Sequence, residues 1–154
     1  VSTRETAALP NSALPGWSAW EGIGQTTAAF LHHELDLGML ALASRIFWPA
    51  LRFHRGCVLL VDGNSDEKFA HWFEHLNGDL LGVERICNHR HLVDMLPDCD
   101  PPMEGEVITQ LGEVLRATWQ SAVDAFVGAR ATYVVRGWYD AEADDYELTL
   151  RRQA

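Results

Sequence analysis

YVVRGWYDAEADDYELTL, residues 133–150, reads as a β-hairpin and sets the fold class. Tyr133, Val135, Gly137 and Tyr139 share one face of a first strand by period-two alternation. Ala141–Asp145 supplies small and acidic turn residues, and Tyr146, Leu148 and Leu150 alternate on a second strand. The segment before it has the other period. Glu104–Gly128 places Val107, Ile108, Leu111, Val114, Leu115, Trp119, Ala122, Val123 and Phe126 on one side of a helix.

The same two periods divide the rest of the chain. Leu51–Val61 alternates and turns at Arg55-Gly56, which predicts a second hairpin with an apolar return strand. Asp62–Ser65 forms a loop, and Asn64 with Glu67 resembles a capping box for a helix that runs to about Leu76 and stops at Asn77-Gly78. Leu81–Cys87 reads as a further strand, and Asn88 as the cap of a short helix through Met95, closed by Pro97. An acidic loop spans Pro97–Pro102. Trp17–Trp48 is helical, broken near Asp36 and Gly38 and ended by Pro49, with Leu31, Leu35, Met39, Leu42 and Ile46 as its buried stripe. Residues 1–16 are small, polar and proline-marked, a flexible N-terminal arm, and 17–154 form a single domain. Hairpins with helices between them predict an α+β class: a mainly antiparallel sheet of about five strands, two hairpins plus one strand, packed with four to five helices.

Charge narrows the function classes. Twelve basic and 22 acidic side chains leave a formal net charge of −10, against unassisted binding to nucleic acid or an anionic membrane. Residues 1–60 are balanced, so the excess lies in 61–154, densest at Asp94–Glu106 and Asp140–Glu147. Lys68 is the one lysine, so no phosphate-binding GxxxxGK[ST] loop exists. It falls in the first turn of a helix read as exposed, where nothing depresses its pKa for Schiff-base chemistry. Three cysteines do not make a disulfide scaffold. No charged-then-apolar leader opens the sequence and no apolar run reaches the roughly 20 residues of a spanning helix. A cytoplasmic protein is expected.

His71-Trp-Phe-Glu74-His75 spells HxxEH. It resembles the zinc motif of the inverted zincins, and the resemblance implies His71 and His75 as zinc ligands and Glu74 as the base that activates water. That family adds a glutamate ligand well downstream, on a larger domain; Glu147, 72 residues on, sits in the predicted hairpin strand. With Phe69 at 0° and ~100° per residue, Trp72, Phe73 and Leu76 fall at roughly 300°, 40° and 340°, whereas His71, Glu74 and His75 fall at roughly 200°, 140° and 240°. The motif therefore faces away from the core. Metal is not the favoured reading there.

Glu84-Arg-Ile-Cys87-Asn88-His89-Arg90-His91, with Asp94, is the densest mixed polar run. Cys87 there is a candidate nucleophile with His89 or His91 as its base, and the His-x-His pair a candidate metal chelate. In a purely structural reading His91 pairs with Asp94. His32 and Asp36 share a helix face, and Asp98-Cys-Asp100 opens like a calcium loop that Pro101-Pro102 block.

The reading these features favour is a non-enzymatic protein-binding module, immunity- or antitoxin-like or an adaptor, that engages a basic protein partner. Asp140, Glu142, Asp144 and Asp145 would steer the partner and Trp138 would anchor it, with no catalytic residue, cofactor, nucleic acid or membrane and with self-association allowed. The alternatives are a small zinc-dependent hydrolase, on His71, Glu74 and His75 or on the 84–94 run, and a small-molecule sensor or accessory subunit.

Overall fold

A computed structural model describes Thr26, His32, residues 36–96 and residues 105–153. The predicted arm 1–16, Leu31, Leu35 and the acidic loop with Asp98 and Asp100 lie outside the described residues. The chain divides into two compact units, Val1–Leu42 and Ala43–Ala154. The described residues form five α-helices and five strands in an α+β arrangement. The strands fall into two antiparallel sheets, of two and three strands.

The first helix, α1 (Leu37–Phe47), starts where Asp36 accepts from the amides of Gly38 and Met39. It buries none of its residues, so Met39 and Leu42 are exposed rather than part of a buried stripe. Strands β1 (Leu51–His54) and β2 (Cys57–Leu60) form the first hairpin. Its turn places Arg55 (φ 48°) and Gly56 (φ 84°) in the left-handed region that a two-residue hairpin turn requires. All four residues of β2 are buried. Val58 and Leu60 face the main core, and Cys57 and Leu59 pack with Phe69, Val83 and Cys87. An uninterrupted CVLL run is what burial on both faces selects.

Helix α2 (Ser65–His75) follows. Asn64 makes no side-chain cap hydrogen bond, contrary to the predicted capping box; Ser65 instead donates its hydroxyl to the Asp62 carbonyl. Leu81–Cys87, predicted as a strand, lies in helix α3 (Leu80–Cys87), which Asp79 caps through the amides of Leu81 and Gly82. The helix wins because its burial follows the i, i+4 pattern. Val83 and Cys87 form one buried pair and Glu84 and Asn88 another, whereas alternation would have buried Arg85.

That polar pair joins the two sheets. Glu84 accepts from the Val58 amide (2.8 Å), the Tyr133 hydroxyl (3.0 Å) and the Arg152 amide (2.9 Å). Asn88 accepts from the Leu60 amide (2.9 Å) and donates to the carbonyls of Val58 (2.7 Å) and Leu150 (3.3 Å). The edge of β2 that β1 leaves open is thus capped by side chains, as buried backbone groups require.

The predicted short helix through Met95 resolves into two pieces. Arg90–His91 is strand β3, and Leu92–Met95 is the one-turn helix α4. Strand β3 adds to β5 (Asp145–Arg152), which pairs in turn with β4 (Tyr133–Asp140). Helix α5 (Gly105–Val127) covers the sheet and buries Ile108, Leu115, Trp119, Val123 and Val127 against Tyr133, Val135, Tyr146, Leu148 and Leu150. Val114 lies outside this stripe, exposed. The Tyr146 ring occupies the space that Gly112 and Gly137 leave open; a Cβ at either would collide with it. Gln120 of α5 covers the free edge of β4, accepting from the Val135 amide and donating to the Tyr133 carbonyl. Among the described residues, no helix is long and apolar enough to cross a membrane.

Candidate functional site

The buried anchor Asn88 ends α3 and delivers an extended segment to the sheet. In extended backbone, residues i and i+2 share a face, so His89 and His91 point the same way. Pairing of β3 with β5 sets His91 directly opposite Glu147, and pairing of β5 with β4 sets Glu147 opposite Trp138. Three donor side chains therefore converge. Nε2 of His89 lies 3.1 Å from Nε2 of His91 and 3.2 Å from a Glu147 carboxylate oxygen. One ligand atom from each of the three lies within 4.8 Å of the others.

The two separations at His89 are those of a coordination polyhedron's edges. Donors bound tetrahedrally to zinc at ~2.0–2.1 Å stand about 3.3 Å apart along each edge. The proton arrangement points the same way. Asp145 is buried, and its carboxylate accepts from Nδ1 of His91 (2.7 Å) and from the amides of Val93 (3.2 Å) and Tyr146 (2.7 Å). With the proton on Nδ1, His91 presents the Nε2 lone pair toward His89. Nε2 of His89 then faces two acceptors, His91 and Glu147, with one proton to offer them. A cation at that point satisfies all three. A carboxylate behind a ligating imidazole is also the usual outer brace of a metal site. Burial shifts the His89 pKa down, against the pull of Glu147 and helped by His91, Lys68 and Arg90. The neutral imidazole is the form that binds metal.

The histidines open on a cleft of about 480 Å³ walled by Asp62, Lys68, Trp72, Ile86 and Asp94. Arg90 holds the wall together by pairing with Asp62 (2.6 Å) and donating to the carbonyls of Cys87 (2.8 Å) and His89 (2.7 Å). Lys68 is half-buried, with its ammonium 3.4 Å from the Cys87 carbonyl, and burial lowers its pKa, with Arg90 adding to the effect. The sequence reading of an exposed, unperturbed lysine is thus overturned: α3 and the loop after it close over this side of α2.

No protein-family model, curated protein or solved structure matches this chain. The site has to be read from its own geometry.

The other candidates are placed differently. His71, Glu74 and His75 are all exposed on the outer face of α2, as the helical wheel indicates. The two imidazoles stack with ring centroids 6.2 Å apart. Among the described residues, no third donor joins them in a metal-sized group. Cys87 is not a plausible nucleophile, because burial pushes its thiol up and away from the reactive thiolate; Cys57, also buried, is pushed up to about 11. His91 pairs with Asp145, not with Asp94. Of the predicted docking residues, Glu142 and Asp144 are exposed at the hairpin turn, Asp140 is half-buried and Trp138 is 43% exposed. Asp145 is the correction: it is 2% exposed and its carboxylate is consumed inside the fold, so it belongs to the brace of His91 and not to an outer acidic face.

Reading His89 and His91 as a candidate chelate did find two members of the group. Their third member, Glu147, and the brace Asp145 lie more than fifty residues away in sequence, and only the β3–β5 register brings them in. The signal available was the alternation itself, since Glu147 and Asp145 occupy the polar face of the second hairpin strand.

Proposed function

We propose that this chain binds a zinc-type divalent ion through Nε2 of His89, Nε2 of His91 and the carboxylate of Glu147, at a site of the hydrolytic kind. The observation that carries the reading is the convergence of these three donors with His91 braced from behind by Asp145. Two imidazoles and one carboxylate are the ligand set of zinc sites that keep a fourth position for water or substrate. A metal so held would supply a water that is nucleophilic near neutral pH and a Lewis acid for a carbonyl or phosphoryl oxygen. The chain's own residues supply the rest. Trp72 and Ile86 give the cleft an apolar wall, Lys68 sets a positive charge beside it, and Arg90 fixes the backbone that carries both histidines. A small substrate with an apolar part against Trp72 and Ile86 and an anionic group beside Lys68, clear of Asp94, fits these surroundings.

Zinc titration of metal-stripped protein tests the reading. One equivalent binds to wild type and to His71→Ala, and affinity collapses in His91→Ala and in Glu147→Gln. Metal-free behaviour of the wild type, or retention of zinc by His91→Ala, refutes it.

A second reading keeps the acidic hairpin turn as a docking surface for a basic protein partner. It is supported by the exposure of Trp138, Glu142 and Asp144 at one end of the sheet. Partner capture that fades with added salt and is abolished by Glu142→Lys with Asp144→Lys supports it; salt-insensitive capture counts against it.

A further inference from the structure

The terminal hairpin is charged in opposite senses at its two ends. Asp140, Glu142 and Asp144 mark the turn, whereas Arg151 and Arg152 mark the open end and Arg136 lies midway along β4. Arg136 stands opposite Thr149 and Arg151 opposite Val134, so both arginines leave the same face of the sheet. Helix α3 lies beside that face, with the Thr149 hydroxyl donating to the Arg85 carbonyl (3.1 Å). Arg85, Arg136, Arg151 and Arg152 thereby line one cleft of about 500 Å³. The acidic residue on its wall is Asp79, and that carboxylate is turned to the amides of Leu81 and Gly82.

Among the described residues three of these four guanidiniums meet no carboxylate, while Arg152 shares the Tyr133 hydroxyl with the buried Glu84 carboxylate. Other guanidiniums meet a carboxylate: Arg52 with Asp66 (2.5 Å), Arg90 with Asp62 (2.6 Å) and Arg116 with Glu113 (2.8 Å). Among the described residues, no carboxylate pairs with Arg85, Arg136 or Arg151, and Arg152 donates to the Tyr133 hydroxyl and the Gly56 carbonyl. A chain with 22 acidic side chains thus gathers four of its 12 basic ones around a single opening. Like charges held together repel, and an anion between them turns that repulsion into binding.

We propose that this cleft binds a small, multiply charged phosphate compound, such as free polyphosphate or the phosphate chain of a nucleotide. Guanidinium is planar and pairs with phosphate oxygens through two parallel N–H donors, so several forks around one opening suit several phosphate oxygens. The ligand must be compact. Asp140 follows Arg136 by four residues, about 13 Å along the strand, so a long polyanion on the hairpin would run into the acidic turn. A polyphosphate confined to the basic cleft avoids the acidic turn. The cleft is distinct from the histidine site, and the proposal stands without a bound metal.

The test is calorimetric titration of metal-stripped protein with inorganic pyrophosphate, then with ATP and with oligothymidylate, in wild type and in His91→Ala. The expected result is saturable pyrophosphate binding at one site, weakened by salt and unchanged in His91→Ala. Arg136→Gln with Arg151→Gln lowers the affinity by about tenfold or more, as loss of two charge-assisted contacts implies. Tighter binding of ATP than of pyrophosphate assigns the anion to a nucleotide, and equal binding assigns it to bare polyphosphate. Should the double variant fail to fold, pyrophosphate must still shift the guanidinium NMR signals of Arg85, Arg136 and Arg151 in wild type. Absence of saturable binding, undiminished binding in a folded double variant, silent guanidinium signals, or oligothymidylate binding tighter than pyrophosphate would overturn the proposal.

Discussion

Two histidine pairs come together in this molecule, and among the described residues one of them, His89 with His91, is met by a carboxylate from another strand. His71, Glu74 and His75 sit on the solvent face of α2, where one turn of helix stacks the imidazoles and, among the described residues, no third donor joins them in a metal-sized group. His89 and His91 sit on extended backbone, where two-residue spacing aligns them and a neighbouring strand supplies Glu147. Motif spelling is therefore a weaker guide than the period of the backbone that carries it. A ligand pair on a helix needs a second element folded over it. A ligand pair on an inner or added strand receives its third donor from the register of the sheet.

Substitutions around the two histidine pairs differ in expected effect. The largest effect is on metal affinity. His91→Ala loses more than about 100-fold in zinc affinity, beyond the usual loss on removing an outer brace, while His71→Ala leaves affinity unchanged in the same titration. Next comes the scaffold beneath the strand site. Asn88→Ala strands the Leu60 amide and the carbonyls of Val58 and Leu150, and denaturant unfolding should show a loss of about 2–3 kcal/mol. The brace follows. Asp145→Asn removes the charge that fixes the His91 tautomer and weakens zinc about tenfold, read by competition with a chelating dye. Smallest is the helix pair itself: His75→Ala, at an exposed position, changes unfolding free energy by less than about 0.5 kcal/mol.

The legibility of the fold in the sequence followed how local its causes were. The Tyr133–Leu150 hairpin, the Arg55-Gly56 turn and the long helix before residue 128 are set by alternation, turn chemistry and 3.6-residue periodicity within each segment, and the structure agrees. The 81–95 region was misread because its decisive contacts are distant. Glu84 and Asn88 look like surface polar residues until the open edge of β2 and the end of β5 are placed beside them. A helix over 88–95 would set His89 and His91 roughly 200° apart, so the candidate chelate requires the extended backbone that the structure shows at Arg90–His91. Asp145 went astray for a related reason. As the last residue of an acidic turn it looks exposed, but β4–β5 pairing begins there and turns its carboxylate inward to His91.

On the proposed assignment His89, His91 and Glu147 hold a metal and the α2 histidines do not. Zinc-edge X-ray absorption on zinc-loaded protein carrying His71→Ala and His75→Ala addresses it directly. The account predicts one retained equivalent with two imidazole nitrogens and carboxylate or water oxygen at ~2.0–2.1 Å. A double variant that no longer retains zinc, beside a wild type that does, would contradict it.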